Sequence, residues 1–257
     1  MAAKWTLITG ASEGLGVEFA RIAAAEGRDL ILVARQAAKM EQLAEELRAR
    51  HGVAAEVWPA DLSDPDAVET LWRKVSLRRH VEIVVNNAGL GANGPFAEQD
   101  FEREMASVMV NVAALTILTK RAVAHMAQQG GGRILNVGST AGFMPGPNMA
   151  VYHATKAYVL SLGEALAEEL RGTPVTVTTL CPGPTSTNFA RDAGMEGITL
   201  FTALRPAGAA GVARAGWRAM KAGRRVKVTG LQNWIFSVGP RFVPRALVPR
   251  IAAIFLK

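Results

Sequence analysis

Seven short, β-prone apolar runs alternate with helical patterns along this 257-residue chain, and that alternation limits the available folds sharply. The runs are Lys4–Thr9, Asp29–Ala34, Val53–Trp58, Val81–Asn86, Arg133–Ser139, Val175–Cys181 and Arg225–Thr229. Helical patterns fill the intervals: one after Gly16, then Ala37–Arg50, Asp66–Arg79, Glu98–Gln128 (in one or two segments), Val151–Arg171 and Ala207–Lys221. A helix between two strands returns the chain to the same end of the sheet, so the strands pair in parallel and the helices cover both faces. The expectation is a single α/β domain, doubly wound on a mostly parallel seven-stranded sheet. No linker, repeat or low-complexity tract divides residues 1–230, and residues 231–257 read as a basic, apolar C-terminal extension.

The first run leads into Gly10-Ala11-Ser12-Glu13-Gly14-Leu15-Gly16 and then into a helix. Gly10 suits the tight turn, and Gly14 lets the backbone approach a pyrophosphate. Gly16 lets the helix pack close to the strand, and the helix N-terminus attracts the anion. Glycines at a turn can be an ordinary connection, but strand, glycine turn and helix in this order read as a Rossmann-type nucleotide site.

Tyr152 and Lys156 stand four residues apart in a helical pattern and so share one face. A phenol, with a pKa near ~10, is a poor proton carrier at neutral pH. A neighbouring ammonium favours the phenolate and is expected to bring that pKa down.

Further motifs follow in order. Ala60-Asp61-Leu62 comes after the third strand, Asn86-Asn87-Ala88-Gly89 closes the fourth, and Asn111 lies in the next helix. Ser139 ends the fifth strand, thirteen residues before Tyr152, and Pro182-Gly183, Thr185 and Thr187 follow the sixth. With Thr9-Gly10-x-x-x-Gly14-x-Gly16, these make the chain resemble the short-chain dehydrogenase/reductase family over roughly residues 4–230. The resemblance implies that Gly10, Ser12, Glu13, Gly14, Leu15, Gly16, Asp61, Leu62, Asn87, Ala88, Gly89, Pro182, Gly183, Thr185 and Thr187 surround the cofactor. It implies that Lys156 holds the nicotinamide ribose and lowers the Tyr152 pKa. Tyr152 then exchanges a proton with a carbonyl or alcohol oxygen that Ser139 also binds, and Asn111 fixes a water behind Lys156. Two plainer readings stand beside these: Asn111 as a buried residue bonding backbone, and Ser139 as a strand-end cap with Thr140 as the rival hydroxyl.

The end of the second strand bears on which nicotinamide cofactor is used. Ala34 stands where an acid would hold a ribose 2′-hydroxyl, and Arg35 with Ser12 suits a 2′-phosphate. Glu13 argues the other way if it points inward. NADP(H) is therefore expected over NAD(H), and with it carbonyl reduction.

Cys181 is the only cysteine and reads as a small buried thiol. The four histidines lack metal-ligand spacing, so no metal is expected. The sequence offers no signal pattern at the N-terminus and no uninterrupted apolar span, which together suggest a cytoplasmic protein. Its charge is uneven: the chain nets +7, yet residues 197–257 contain eleven Lys and Arg and no acid. The terminal segment 231–257 reads either as packing over the pocket or against another subunit, as peripheral membrane contact, or as a site for an anionic substrate. Nucleic acid is not expected. The substrate-pocket walls are expected from Leu90, Phe143, Met144, Met149, Met195 and Phe201, which suit a small hydrophobic carbonyl or alcohol. A homodimer or homotetramer is expected. Two other functions are compatible with parts of the pattern: a non-catalytic NADP(H) sensor or scaffold, and a sugar-nucleotide epimerase or dehydratase.

Overall fold

The computed structural model describes residues 4–195 and 206–256. Seven strands form one sheet in the order β3-β2-β1-β4-β5-β6-β9, all parallel. They are β1 Lys4–Thr9, β2 Asp29–Ala34, β3 Ala55–Pro59, β4 His80–Asn86, β5 Gly132–Val137, β6 Val175–Cys181 and β9 Val226–Val228. Three begin and end where the apolar runs do. The fifth is two residues shorter at its C-terminal end, because Ser139 leaves the strand to cap a 3₁₀ turn, Thr140–Phe143. A two-residue pair, β7 Thr185–Ser186 with β8 Ala207–Gly208, lies outside the main sheet.

The chain reverses direction across the sheet between β1 and β4, so the crevice outside their carboxyl ends is the place for a ligand. Asn87 closes that crevice. Its amide Nδ2 donates to Thr9 O at 2.9 Å and Gly10 O at 3.2 Å, while Thr9 Oγ1 accepts from the Asn87 and Ala88 N–H groups at 3.0 Å.

Helices α1 Gly14–Ala25, α2 Ala37–His51 and α7 Ala209–Lys221 cover one face, burying Phe19, Leu47 and Trp217 against Leu32 and Val85. Helices α3 Pro65–Ser76 and α4 Phe101–Gln128 cover the other, burying Trp72 and Leu118 against Ile31 and Val84. Each such large side chain removed from water stabilises the fold by about 1.5–3 kcal/mol. Local chemistry sets the ends: Asp64 accepts from Asp66 N at the start of α3, and Asp100 from Arg103 N at the start of α4. Helix α4 is continuous, with one wide π-helical turn at Met109–Ala114. By length and composition it could cross a membrane, contrary to the sequence expectation, but Leu118, Ala122 and Met126 face the sheet core. Helix α5 Ala150–Glu169 packs against the 3₁₀ turn, where a Cβ on Gly142 would come within 2.5 Å of Lys156 O.

After β6 come the short helix α6 Phe189–Asp192 and, beyond β9, two helices of the terminal segment, α8 Leu231–Val238 and α9 Val248–Phe255. A 3₁₀ turn, Gly239–Phe242, and Pro244 lie between the last two. They fold back over the carboxyl end of the sheet. Ala252 and Leu256 join Met149, Ala193 and Met195 in a small third core, with Tyr152 and Phe189 packed against it.

Candidate active site

One cavity of about 700 Å³ runs along the carboxyl ends of the strands, from Arg35 and Asp61 at one end to Tyr152, Met195 and Phe255 at the other. Its first end is built of close backbone approaches. A Cβ on Gly10 would stand 2.8 Å from Asn87 Nδ2 and 2.9 Å from Ala88 Cα, at a φ of +65° that glycine alone adopts easily. A Cβ on Gly16 would fall 2.1 Å from Gly10 O, so this glycine seats α1 on the turn and does not line the cavity. Ser12, Glu13, Gly14 and Leu15 do line it, with Ala34, Arg35, Asp61, Leu62, Asn87, Ala88, Gly89, Pro182, Gly183, Thr185 and Thr187. Asp61 accepts from the N–H and hydroxyl of Ser63 at 2.9 and 2.7 Å, and these bonds hold its carboxyl below the usual range. Ala34 is buried at the strand end and Arg35 is exposed beside it. A long channel with glycine-lined backbone, a helix N-terminus and a cation at its far end fits a dinucleotide.

At the other end, Lys156 is buried and Tyr152 half-buried, both lining the cavity. Lys156 Nζ donates to Val137 O at 2.9 Å and lies 5.7 Å from the Tyr152 ring centre. The expected lowering of the phenol pKa is not what the geometry gives. Burial pushes Tyr152 up to about 12, the Ser139 hydroxyl pulls only partly the other way, and Lys156 is aimed at the Val137 carbonyl. Burial also pushes the Lys156 ammonium down from its ordinary 10.5 to about 8. Taking either group from water disfavours its charged form.

Ser139 serves as cap, its Oγ accepting from Ala141 N at 3.1 Å, and its hydroxyl stands close enough to the phenol to pull the Tyr152 pKa part of the way down. Thr140 also lines the cavity. Asn111 sits behind Gly89 and Leu90, outside the cavity lining. Its Oδ1 accepts from Leu90 N at 2.9 Å, and its Nδ2 donates to Leu90 O at 2.8 Å and Thr155 Oγ1 at 3.0 Å. This is the backbone-bonding arrangement. Asn111 fixes the loop after β4 and, because Thr155 Oγ1 donates to Tyr152 O at 2.8 Å, links that loop to the helix carrying the phenol.

Leu90, Met144, Met149 and Met195 line the wide end, whereas Phe143 does not, and Phe201 lies outside the described residues. Several wall residues were not anticipated. Phe189 stacks near Tyr152 with ring centres 5.4 Å apart, and Arg103 contacts the carbonyls of Gly91 and Asp192. Asn233, Phe236, Ala252, Phe255 and Leu256 bring the terminal segment into the wall. The i, i+3 spacing of Phe236 with Asn233 and of Phe255 with Ala252 was a usable signal, but only once the segment is known to fold back. Cys181 is buried and its thiol is pushed up to about 12 by that burial. Among the described residues no cluster of His, Cys, Asp or Glu could hold a metal ion.

Comparison with known proteins adds a family and relatives. The family model described as short chain dehydrogenase matches residues 4–196. A ketoacyl reductase, HetN, of Nostoc is 31% identical over 209 residues, covering 81% of this chain and 71% of that protein. A very-long-chain 3-oxoacyl-CoA reductase of Pyricularia oryzae is 38% identical over 178 residues, covering 67% of this chain and only 54% of its own length. Among solved structures, a short-chain dehydrogenase from Sphingobium yanoikuyae in complex with NADPH superposes with a TM-score of 0.84 at 32% identity, covering 93% of each chain.

Proposed function

The chain belongs to the short-chain dehydrogenase family and is an oxidoreductase of that family, and from that premise we propose that it uses NADP(H) to reduce a hydrophobic ketone or 3-oxo compound to a secondary alcohol. The observation that carries the reading is the enclosure of Tyr152, Ser139 and Lys156 in one cavity whose remaining wall at that end is mostly apolar.

The cofactor, when bound, supplies the hydride. Gly10, Gly14 and the N-terminus of α1 are suited to the pyrophosphate, and Arg35 with Ser12 to a 2′-phosphate. Asp61 and Leu62 flank the adenine end. Near Tyr152, Met144, Met149, Phe189 and Phe255 exclude water and receive the apolar body of the substrate. Tyr152 donates its proton to the carbonyl oxygen, and Ser139 hydrogen-bonds the same oxygen. A phenol near 12 holds its proton at neutral pH, so it is in the donating form that reduction requires. Lys156, near 8, keeps most of its charge at pH 7 and offsets the negative charge left on the phenol. Asn111 keeps the loop after β4 and the helix of Tyr152 in mutual position. Family members commonly assemble as oligomers, and a homodimer or homotetramer belongs to the same proposal.

The test is NADPH and NADH binding by fluorescence titration, followed by NADPH oxidation across ketones and 3-oxoacyl thioesters graded in size and polarity. Turnover that rises with apolar bulk supports the reading. Tight NADPH binding without turnover on any of them would favour a nucleotide sensor instead.

A further inference from the structure

Helices α8 and α9 have two different faces. Inward, Asn233, Phe236, Ala252, Phe255 and Leu256 wall the cavity, and the Phe236 and Phe255 rings meet edge to face with centres 5.6 Å apart. Outward, α8 presents Leu231, Trp234 and Ile235, a single stripe at i, i+3 and i+4. Helix α9 presents Ile251 and Ile254, and the link between the helices presents Phe242, 83% exposed. Arg241, Arg245 and Arg250 are exposed among these apolar side chains. No acid occurs in the sequence after Glu196, and among the described residues none of the three arginines is ion-paired.

We propose that this outer face docks the protein on an anionic lipid surface. The inference does not depend on the catalytic reading. Contiguous exposed apolar side chains rimmed by cations match the chemistry of a headgroup boundary, where rings and aliphatic chains enter and guanidinium groups meet phosphate. Pro240 and Pro244 divide the segment into helices of eight residues each, with Pro249 in the first turn of the second, too short to span a bilayer and suited to lying flat on it. A second copy of the chain is a poorer occupant. A two-fold contact sets the same patch against itself, so arginines would face arginines with no carboxylate from this segment to pair them. Docking here would place the lipid on one side of α8 and α9 and the cavity on the other.

The experiment is co-sedimentation of the full chain with vesicles of phosphatidylcholine mixed with phosphatidylglycerol, against vesicles of phosphatidylcholine alone. Binding to the mixed vesicles, weakened by salt, is expected. Each Arg→Gln change at Arg241, Arg245 and Arg250 is expected to lower partition about fivefold. Trp234→Ser combined with Phe242→Ser is expected to lower it further. Circular dichroism and NADPH binding, which these exposed positions should leave unchanged, check that the variants fold. Failure to bind the mixed vesicles overturns the proposal, as does equal binding by the triple arginine variant. Dissociation of an oligomer by Trp234→Ser with Phe242→Ser, without vesicle binding by the parent, overturns it in favour of an interface between copies.

Discussion

Asn188 Nδ2 donates to Glu13 Oε2 across 2.8 Å, joining the loop after β6 to the glycine-rich turn after β1. The same carboxylate lies 3.6 Å from Lys39 Nζ. An inward Glu13 was the one feature that argued against a 2′-phosphate. The geometry gives it two partners, so its charge is engaged at the rim of the nucleotide channel.

Glu13→Gln should keep the bond from Asn188 while freeing Lys39 and removing a negative charge. The expected result is a roughly two- to fivefold lower Kd for NADPH with NADH little changed, in line with the small worth of exposed charge pairs. Weaker NADPH binding in this variant would show that the carboxylate itself supports the site.

Tyr152→Phe removes the proton donor and keeps the ring packed against Phe189. Turnover should fall roughly 10²–10⁴-fold, the usual worth of a positioned acid, while NADPH affinity stays nearly constant. Single-turnover kinetics with the preferred ketone would read this directly, and retained turnover would remove Tyr152 from its role.

Arg35→Asp should reverse the phosphate preference by placing a carboxylate at the end of β2, next to buried Ala34. The NADPH-to-NADH ratio of kcat/KM is expected to drop by at least about tenfold, since repulsion now works against the phosphate and an acceptor is offered to the 2′-hydroxyl. An unchanged ratio would refute the assignment.

Lys156 should leave a mark on stability. Its pKa drops from 10.5 unfolded to about 8 folded, so between those values the unfolded chain holds more protons and stability rises with pH. Cys181 and Tyr152 run oppositely, from 9.0 and 10.0 up to about 12, so their stabilisation is lost as pH rises from about 9 upward. The Lys156 contribution is therefore unopposed by these two only from about pH 8 to 9. Across that window the wild-type Tm should climb by about 2 °C, and in Lys156→Met the climb should vanish. Calorimetry at the two pH values decides it; a climb that persists in the variant assigns it to another group.

What was legible in the sequence was local. Lys4–Thr9, Asp29–Ala34 and Val175–Cys181 are strands to the residue, because each is bounded by its own turn chemistry. Tyr152 and Lys156 share a helix face because helical spacing requires it. Ser139 was placed at a strand end, but its capping bond to Ala141 depends on how the chain turns after Gly138, which strand propensity does not encode. The Tyr152 pKa was misjudged for a related reason: spacing puts an ammonium nearby, whereas burial and the Val137 carbonyl depend on the packed whole. Phe236, Phe255 and Arg103 reach the cavity through long-range folding; helical spacing groups Phe236 with Asn233 and Phe255 with Ala252 but does not say which way that face turns.

The wide turn at Met109–Ala114 also bears on how this chain can vary. A π-helical turn holds one more residue than an α turn, so it re-phases the helix on its two sides by about 100°. Arg103 and Ala106 upstream keep one bearing, toward the cavity, while Leu118 and Ala122 downstream keep another, into the sheet. Deleting a single residue here would leave a regular helix that cannot satisfy both bearings at once. Such a deletion would be harsher than most substitutions in the same stretch, although it would make the local backbone more ordinary.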